Sequence, residues 1–187
     1  ASDVFEAAEV LDHIVKDLKK KEREFRKKGY TNVVDTPIQK RTFVIVDEGA
    51  ELSPNIIEGE GRKYAKFCQS ALSEISRIGG GLGLRLLYCT QYPTREAVPM
   101  QVKMNIVTRI SFIAAAQIAS RVILDEIGAE DLPSIPGRAI YKVEKNRVIQ
   151  VPYIDYRDML EQMEDRDETR KARQIIDDER HVGNGKD

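Results

Sequence analysis

The sequence predicts an α/β domain with a mostly parallel sheet, and three observations support this fold class. Apolar, β-branched runs alternate with helical segments, as in proteins whose strands are joined by crossover helices. The two clearest strand candidates are apolar on both faces, which is typical of a covered parallel sheet. The chain has 187 residues, 41% hydrophobic and 33% charged, enough for one folded domain and hardly enough for two.

The first half of the chain supplies a helix, a strand and a second helix. Apolar residues at helical spacing begin at Val4, and the segment becomes strongly charged before it stops at Gly29. The run TFVIVDE then predicts a fully buried strand, and RKYAKFCQSALSEISRIG predicts a helix. Gly79 to Gly81 indicate the end of this helix and a flexible turn.

The second half continues the alternation. LRLLYCTQ predicts a second buried strand, NIVTRISFIA a third, and AQIASRVILDEIG a helix closed by Gly128. GRAIYKVEKNRVIQVPYI predicts a C-terminal β-hairpin about the turn EKN. From Asp155 onward, alternating acids and bases predict a charged helix with local ion pairs. We therefore expect an α/β part over residues 1–154 and a charged helical tail over residues 155–187.

Composition excludes several classes of protein. The formal net charge is −1, so any binding to nucleic acid would require a local basic patch. No apolar run approaches the roughly 20 residues that a membrane span needs. Cys68 and Cys89 have no paired or metal-ligand spacing, which favours a reduced, cytoplasmic protein. His13 and His181 lack partners for a metal site or a catalytic triad.

The ends of the predicted strands suggest the position of a functional site. Asp47–Glu48, Thr90–Gln91 and, less cleanly, Thr108–Arg109 follow apolar strands, and ligands of parallel sheets bind at the carboxyl ends. In nucleotide-hydrolysing motors the first of two such carboxylates holds Mg²⁺, usually through water, and the second polarises the attacking water. Acids that cap the next loop, and a polar strand terminus that satisfies backbone groups, are the alternatives.

The glycine-rich segment RIGGGLGLR does not predict a phosphate-binding loop. It follows a helix and precedes a strand, which is the reverse of the context that such loops have. No GxxxxGK[ST] motif occurs in the sequence.

The ordered motifs resemble the C-terminal part of the motor domain of the FtsK/SpoIIIE family, over roughly Arg41 to Tyr141. In that family an Asp-Glu strand precedes an RAAG-like helix end, an ATQRP strand, a PTRI strand, an SRTILD helix, a GAE turn and a GDMLY strand. Here the corresponding segments are VIVDEGAEL, SRIGGGLGLRLLYCTQYP, VTRISF, ASRVILDEIGAEDL and IPGRAIY. The upstream KEREFRKKGYTNVVD resembles the EMERRY helix of the family. CTQYP and IPGRAIY are most similar to members carried on mobile elements.

The resemblance implies a RecA-like P-loop ATPase that uses ATP and Mg²⁺, assembles as a ring, usually a hexamer, and moves double-stranded DNA. By the same resemblance Asp47 would hold Mg²⁺ in the Walker B motif, and Glu48 would activate water. Thr90 and Gln91 would sense the γ-phosphate.

The resemblance also implies that arginines act between subunits. Arg109 and Arg121 match the arginines of PTRI and SRTILD, and would complete a neighbour's site or communicate with it. Arg23 is a weaker candidate. For each of them a surface ion pair is the alternative reading.

Two departures from the family pattern matter. Gly49 stands where the family usually has an aromatic residue, so packing behind the carboxylates is expected to differ. The phosphate-binding loop, which in this family lies upstream of the EMERRY helix, is missing. Residues 1–154 are therefore expected to be the C-terminal part of a motor domain, and the chain alone is expected neither to bind ATP tightly nor to hydrolyse it.

DNA contact is predicted at basic residues that flank two loops and could face a pore. These are Arg77, Arg85, Arg95 and Lys103, with a solvated surface as the alternative. A winged-helix reader of DNA sequence is not visible.

The sequence thus predicts a fragment of an ATP-driven DNA translocase that serves chromosome segregation, conjugation, or phage or plasmid DNA transfer. The parent protein would be cytoplasmic, or anchored to a membrane through regions outside these residues. The alternatives are the motor of a protein secretion system and a catalytically silent assembly module.

Overall fold

The computed structural model describes residue 1 and residues 3–163. The chain divides into two compact units, residues 1–149 and residues 150–187. In the second unit residues 156–163 are helical, in line with the predicted charged helix. The rest of that predicted helix lies outside the described residues. No helix in the described part of the chain is long and apolar enough to cross a membrane.

The first helix, α1, spans Val4–Lys28 and has a clear signal at each end. The carboxylate of Asp3 accepts hydrogen bonds from the backbone N–H groups of Phe5 and Glu6, at 2.8 and 2.9 Å. Gly29 ends the helix with φ 71°, a left-handed conformation that glycine adopts without strain. The prediction of a helix that stops at Gly29 is confirmed.

Two parallel strands joined by a long helix form the centre of the first unit. Strand β1 spans Thr42–Val46, helix α2 spans Gly61–Leu82 and strand β2 spans Leu84–Tyr88. The strands pair in parallel with Val44 opposite Leu86. A strand, a crossover helix and a parallel strand define the α/β class, so the predicted fold class is confirmed.

Helices α1 and α2 pack over one face of this sheet and form the main core. Leu18, Leu72 and Ile75 are almost completely buried there, beside Val44. Phe43 and Ile45 point to the other face and are 62% and 66% exposed. The prediction of fully buried strands is therefore wrong, because the described helices cover only one of the two faces.

The glycines of α2 lie inside the helix rather than in a turn after it. The helix continues through Gly79 to Gly81 and ends at Gly83, which has φ 86°. A Cβ atom on Gly79 would lie 3.1 Å from the Cβ atom of Leu84, so a glycine there lets β2 start close against the helix. The expected flexible turn is thus replaced by a tight helix end.

The remaining elements are two helices and the three strands of a second sheet. They are helix α3 (Met100–Asn105), strand β3 (Arg109–Phe112), helix α4 (Gln117–Leu124), strand β4 (Arg138–Lys142) and strand β5 (Asn146–Gln150). The strand order is β3-β4-β5, and β3 pairs with β4 in antiparallel orientation. The predicted pairing of β4 with β5 is confirmed, and residues 143–145 connect the two strands.

Two predictions about this part of the chain are wrong. Strand β3 does not continue the parallel sheet, and Arg109 begins it rather than following its end. Helix α4 ends before Gly128, because Asp125 takes the left-handed conformation with φ 61°. Residues such as Asp tolerate this conformation better than most residues do, which the sequence pattern did not reveal.

Candidate active site at the ends of β1 and β2

Backbone pairing beyond the strand ends brings the two predicted motifs together. The N–H of Cys89 donates to the carbonyl of Val46 at 2.8 Å, and the N–H of Gly49 donates to the carbonyl of Cys89, also at 2.8 Å. These two bonds continue the parallel pairing past β1 and β2. Residues 47–49 therefore lie beside residues 89–91, as expected for neighbouring parallel strands.

Glu48 is held at this edge by three hydrogen-bond donors. Its Oε1 accepts from the Thr90 hydroxyl at 2.5 Å and from the Ala50 N–H at 3.1 Å. Its Oε2 accepts from the Gln91 N–H at 2.7 Å. The bond from Ala50 makes Glu48 the N-cap of the 3-10 turn Gly49–Leu52. The side chain is thus fixed by both strand ends at once.

The same contacts set the charge of Glu48. Partial burial acts to raise the pKa of this carboxyl, but the hydrogen bonds from Thr90, Gln91 and Ala50 outweigh it, and the pKa lies below its ordinary value. Glu48 is therefore an anion at neutral pH. A carboxylate oxygen accepts about two hydrogen bonds, so Oε2, with one donor among the described residues, has room for another.

Asp47 and the side chain of Gln91 are both exposed at this edge of the sheet. Neither makes a side-chain hydrogen bond or an ion pair to any residue that the structure describes. Asp47 can therefore act as an oxygen ligand, and the amide of Gln91 can turn toward a bound group. Gln91 meets Glu48 through its backbone N–H only.

Sequence reasoning missed Tyr88, whose ring packs against the residue that follows Glu48. Its hydroxyl donates to the carbonyl of Ala97 at 2.5 Å, and its ring lies where a side chain on residue 49 would be. Burial, and to a smaller extent the charge of Glu48, raise the pKa of Tyr88. The unusual Gly49 was the signal that could have pointed to this residue.

Arg109 is engaged inside its own chain. Its guanidinium pairs with the carboxylate of Asp125 and donates to the carbonyls of Ile123, Lys103 and Ile106, at 3.2, 3.1 and 3.2 Å. These contacts join the end of α3 to the end of α4. A role for Arg109 in a neighbour's site remains a prediction, and it would require these contacts to break.

The other predicted basic residues differ in how available they are. Lys103 lies 2.5 Å from Asp125 and is 13% exposed. Together with Arg109 it outweighs the effect of burial and lowers the pKa of Asp125. Arg85 donates to the carbonyl of Gly80 at 2.7 Å. Arg77 is exposed and lies 4.0 Å from Glu74.

The last three basic residues that the sequence selected are Arg121, Arg95 and Arg23. All three are exposed, and Arg23 lies on α1. Of the predicted site residues, the structure brings together Glu48, Thr90 and the backbone of Gln91, with Asp47 next to them. It places Arg109 and Lys103 in a separate cluster around Asp125.

Comparison with known proteins identifies relatives that are similar to part of this chain. No protein-family model matches the chain. The DNA translocase FtsK of Tropheryma whipplei is 27% identical over 139 residues, which is 70% of this chain and 19% of that protein. DNA translocase FtsK 2 of Neisseria meningitidis is 34% identical over 98 residues (51% of this chain, 9% of that protein). FtsK of Helicobacter pylori is 36% identical over 90 residues (48% and 10%). The chain thus spans less than a fifth of the length of these relatives.

Solved structures identify the class of fold. The monomer of the pCW3 conjugation coupling protein TcpA, solved with ATPγS, superposes with a TM-score of 0.77 at 26% identity, over 83% of this chain and 46% of TcpA. Type VII secretion ATPase EccC of Thermomonospora curvata (TM-score 0.62, 20% identity, 78% and 17% covered) and EssC of Geobacillus thermodenitrificans (0.60, 16%, 83% and 29%) share the fold. The fold is that of P-loop ATPase motor domains.

Within that class, the sequence matches show which proteins the chain is similar to. The chain is similar to FtsK translocases over 48% to 70% of its own length, and the predicted resemblance to the FtsK/SpoIIIE family is confirmed.

Proposed function

We propose that this chain carries the water-activating half of the ATP site of a DNA translocase of the FtsK/SpoIIIE type. In this proposal residues 1–154 are the C-terminal part of the motor domain. ATP and Mg²⁺ bind at the ends of β1 and β2 when a phosphate-binding loop from elsewhere completes the site.

The observation that carries the proposal is the arrangement around Glu48. Its carboxylate is ionised, fixed by three donors, and has a lone pair on Oε2 free to accept from water. A base that is held in one orientation loses little freedom when it takes a proton in the transition state. The similarity to FtsK proteins is the reason to interpret this carboxylate as the base of an ATP site.

In this proposal Asp47 is the protein ligand of Mg²⁺. Mg²⁺ usually keeps several waters and is bound by one or two carboxylates together with phosphate oxygens of the substrate. The described residues contain no cluster of three or more metal-ligating side chains, and the exposed carboxylate of Asp47 matches the simpler arrangement. The ion, when bound, supplies positive charge that stabilises the phosphates during their transfer.

The decisive experiment compares two neighbouring carboxylates in the longer protein that includes a phosphate-binding loop. We expect Glu48→Gln to lower ATP turnover by at least about a hundredfold without abolishing ATP binding, because the base is removed while its shape is kept. Glu51→Gln, at an exposed position of the same turn, is the matched control and should retain turnover. Equal activity of the two variants would contradict the proposal.

The DNA and ring parts of the proposal can be tested in the same assay. Turnover should rise with double-stranded DNA and lose this stimulation at high salt, because phosphate contacts release counterions. Stimulation by a protein substrate instead would favour a secretion motor. If Arg121 acts in trans, mixing inactive Arg121→Ala and Glu48→Gln subunits should restore part of the turnover, since some interfaces then hold both intact residues.

The coding sequence upstream of Ala1 provides a direct check. A GxxxxGK[ST] motif there supports the motor, whereas a start codon at this point contradicts it and favours a silent assembly module. The 187-residue chain by itself should show no ATP turnover. Turnover that depends on Glu48 in the isolated chain would show that the phosphate loop is not needed.

A further inference from the structure

We propose that Tyr88 is a positioning residue for Glu48, acting through the turn that contains the Ala50 donor and through the loop that follows the Thr90 and Gln91 donors. This inference rests on the proposed function, because it concerns the same site. It assigns a role to a side chain that the Asp-Glu and Thr-Gln motifs do not include.

The ring of Tyr88 fixes the first of these segments, the turn after Glu48. A Cβ atom built on Gly49 would lie 2.1 Å from the end of the ring, far inside any van der Waals contact. The ring therefore packs directly on the backbone at Gly49, next to the Ala50 N–H that donates to Glu48. Any side chain at position 49 would have to displace the ring.

The hydroxyl of Tyr88 fixes the second segment, the loop that follows Gln91. It donates to the carbonyl of Ala97 at 2.5 Å, and Ala97 is 2% exposed. The N–H of Ala97 in turn donates to the Thr94 hydroxyl at 3.1 Å. The loop that follows Thr90 and Gln91 is thus attached to the end of β2.

The charges agree with this arrangement. Burial together with the nearby anion of Glu48 raises the pKa of Tyr88, so its hydroxyl stays protonated and remains a donor at neutral pH. Tyr88 itself makes no hydrogen bond to Glu48 in the described chain. Its effect on the carboxylate is therefore indirect.

The test records the carboxyl ¹³C chemical shift of Glu48 at neutral pH, together with amide exchange at Gln91, by NMR in the full 187-residue chain without nucleotide. Tyr88→Phe keeps the ring and removes the bond to Ala97. We expect the carboxyl signal of Glu48 to shift as its hydrogen bonds loosen, and the amide of Gln91 to exchange with solvent about fivefold faster. Tyr92→Phe, at a tyrosine 70% exposed in the same loop, is the matched control and should change neither.

A second pair of variants tests the ring. Gly49→Ala should shift the carboxyl signal of Glu48 as Tyr88→Phe does, since the new methyl group displaces the ring and its hydroxyl. In a Tyr88→Leu background the same Gly49→Ala change should have a smaller effect, because the space is then available.

An unchanged Glu48 carboxyl signal and unchanged Gln91 exchange in folded Tyr88→Phe would overturn the inference, as would fully additive effects of the changes at positions 49 and 88. Neither readout involves ATP. The inference can therefore fail while Glu48→Gln still abolishes turnover, and the proposed function can fail while the NMR result stands.

Discussion

At the scale of single residues, the state of Glu48 is decided by a competition between burial and hydrogen bonding. Burial alone would favour the neutral acid, and an acid with a proton cannot act as a base. Three donors reverse this balance and keep the pKa below its ordinary value of 4.5. The donors come from two chain segments far apart in sequence, so the charge state of Glu48 depends on the pairing of β1 with β2.

The contribution of Thr90 to this balance gives a prediction with a defined dependence on pH. Because folding lowers the pKa of Glu48, its hydrogen bonds stabilise the protein above the ordinary pKa of 4.5, and this stability is lost as the pH falls through the folded-state value. Thr90→Val should therefore lower the free energy of unfolding by about 1 kcal/mol at neutral pH, and by less in acid. Urea denaturation at several pH values measures the difference.

The control for Thr90→Val is Thr90→Ser, which keeps the hydroxyl and should retain most of the stability at neutral pH. A loss of stability that is the same at neutral and acid pH would mean that packing of the threonine methyl group, and not the bond to Glu48, is responsible. So would a Thr90→Ser variant that is as unstable as Thr90→Val.

At the scale of elements, the C-terminal end of α4 is stabilised by three cationic side chains. Lys103 donates to the carbonyl of Arg121 at 3.3 Å, Arg109 donates to that of Ile123 at 3.2 Å, and Lys142 donates to that of Leu124. The last carbonyls of a helix have no partner within it, and they carry partial negative charge. These side chains come from α3, β3 and β4, so the end of α4 organises the second sheet.

This arrangement predicts different effects for the two arginines that the family resemblance selects. Arg109→Ala should lower the free energy of unfolding by about 2 kcal/mol, because three partly buried carbonyls and the carboxylate of Asp125 lose their donor. Arg121→Ala should change it by less than about 0.5 kcal/mol, since Arg121 is exposed on the same part of the chain. Urea denaturation followed by circular dichroism compares them, and equal losses would contradict a structural role specific to Arg109.

Which elements the sequence could predict depends on where their determinants lie. Asp3 and Gly29 set the ends of α1 through local backbone geometry, and the alternation of apolar runs with a helical segment was enough for β1, α2 and β2. The antiparallel placement of β3 depends on pairing with β4 across a long sequence separation. The apolar pattern of a strand does not contain that information.

Some features of the candidate site could likewise be predicted from the sequence, and others could not. Asp47, Glu48, Thr90 and Gln91 could be selected from sequence, because parallel strands end at one edge of a sheet. The contact of Tyr88 with the backbone at Gly49 could not, since it depends on the depth at which a ring packs. Nor could the pattern of arginines show that Arg109 is enclosed by carbonyls. The periodicity of apolar residues shows which face of a helix or strand is buried. It does not show which residues at the ends of distant elements contact one another.

At the scale of the whole molecule, the sheet of β1 and β2 leaves one face without a covering layer in the described chain. Phe43, Ile45 and Leu87 are 62%, 66% and 43% exposed on neighbouring strands, with Ile45 directly opposite Leu87. A contiguous apolar surface of this kind is unusual for a monomer in water, and a two-stranded sheet also has edges that can pair further. Both features favour association of the chain with itself or with other parts of a larger domain.

We therefore expect the 187-residue chain to self-associate as its concentration rises, which sedimentation velocity over a dilution series measures. Ile45→Lys should shift the distribution toward the monomer, because a charge on this face must be desolvated when two copies meet. Ile118→Lys changes an isoleucine that is 75% exposed on α4 and serves as the matched control. Association that both substitutions weaken equally would place the contact elsewhere. A chain that stays monomeric at all concentrations would show that the apolar face of β1 and β2 is tolerated in water.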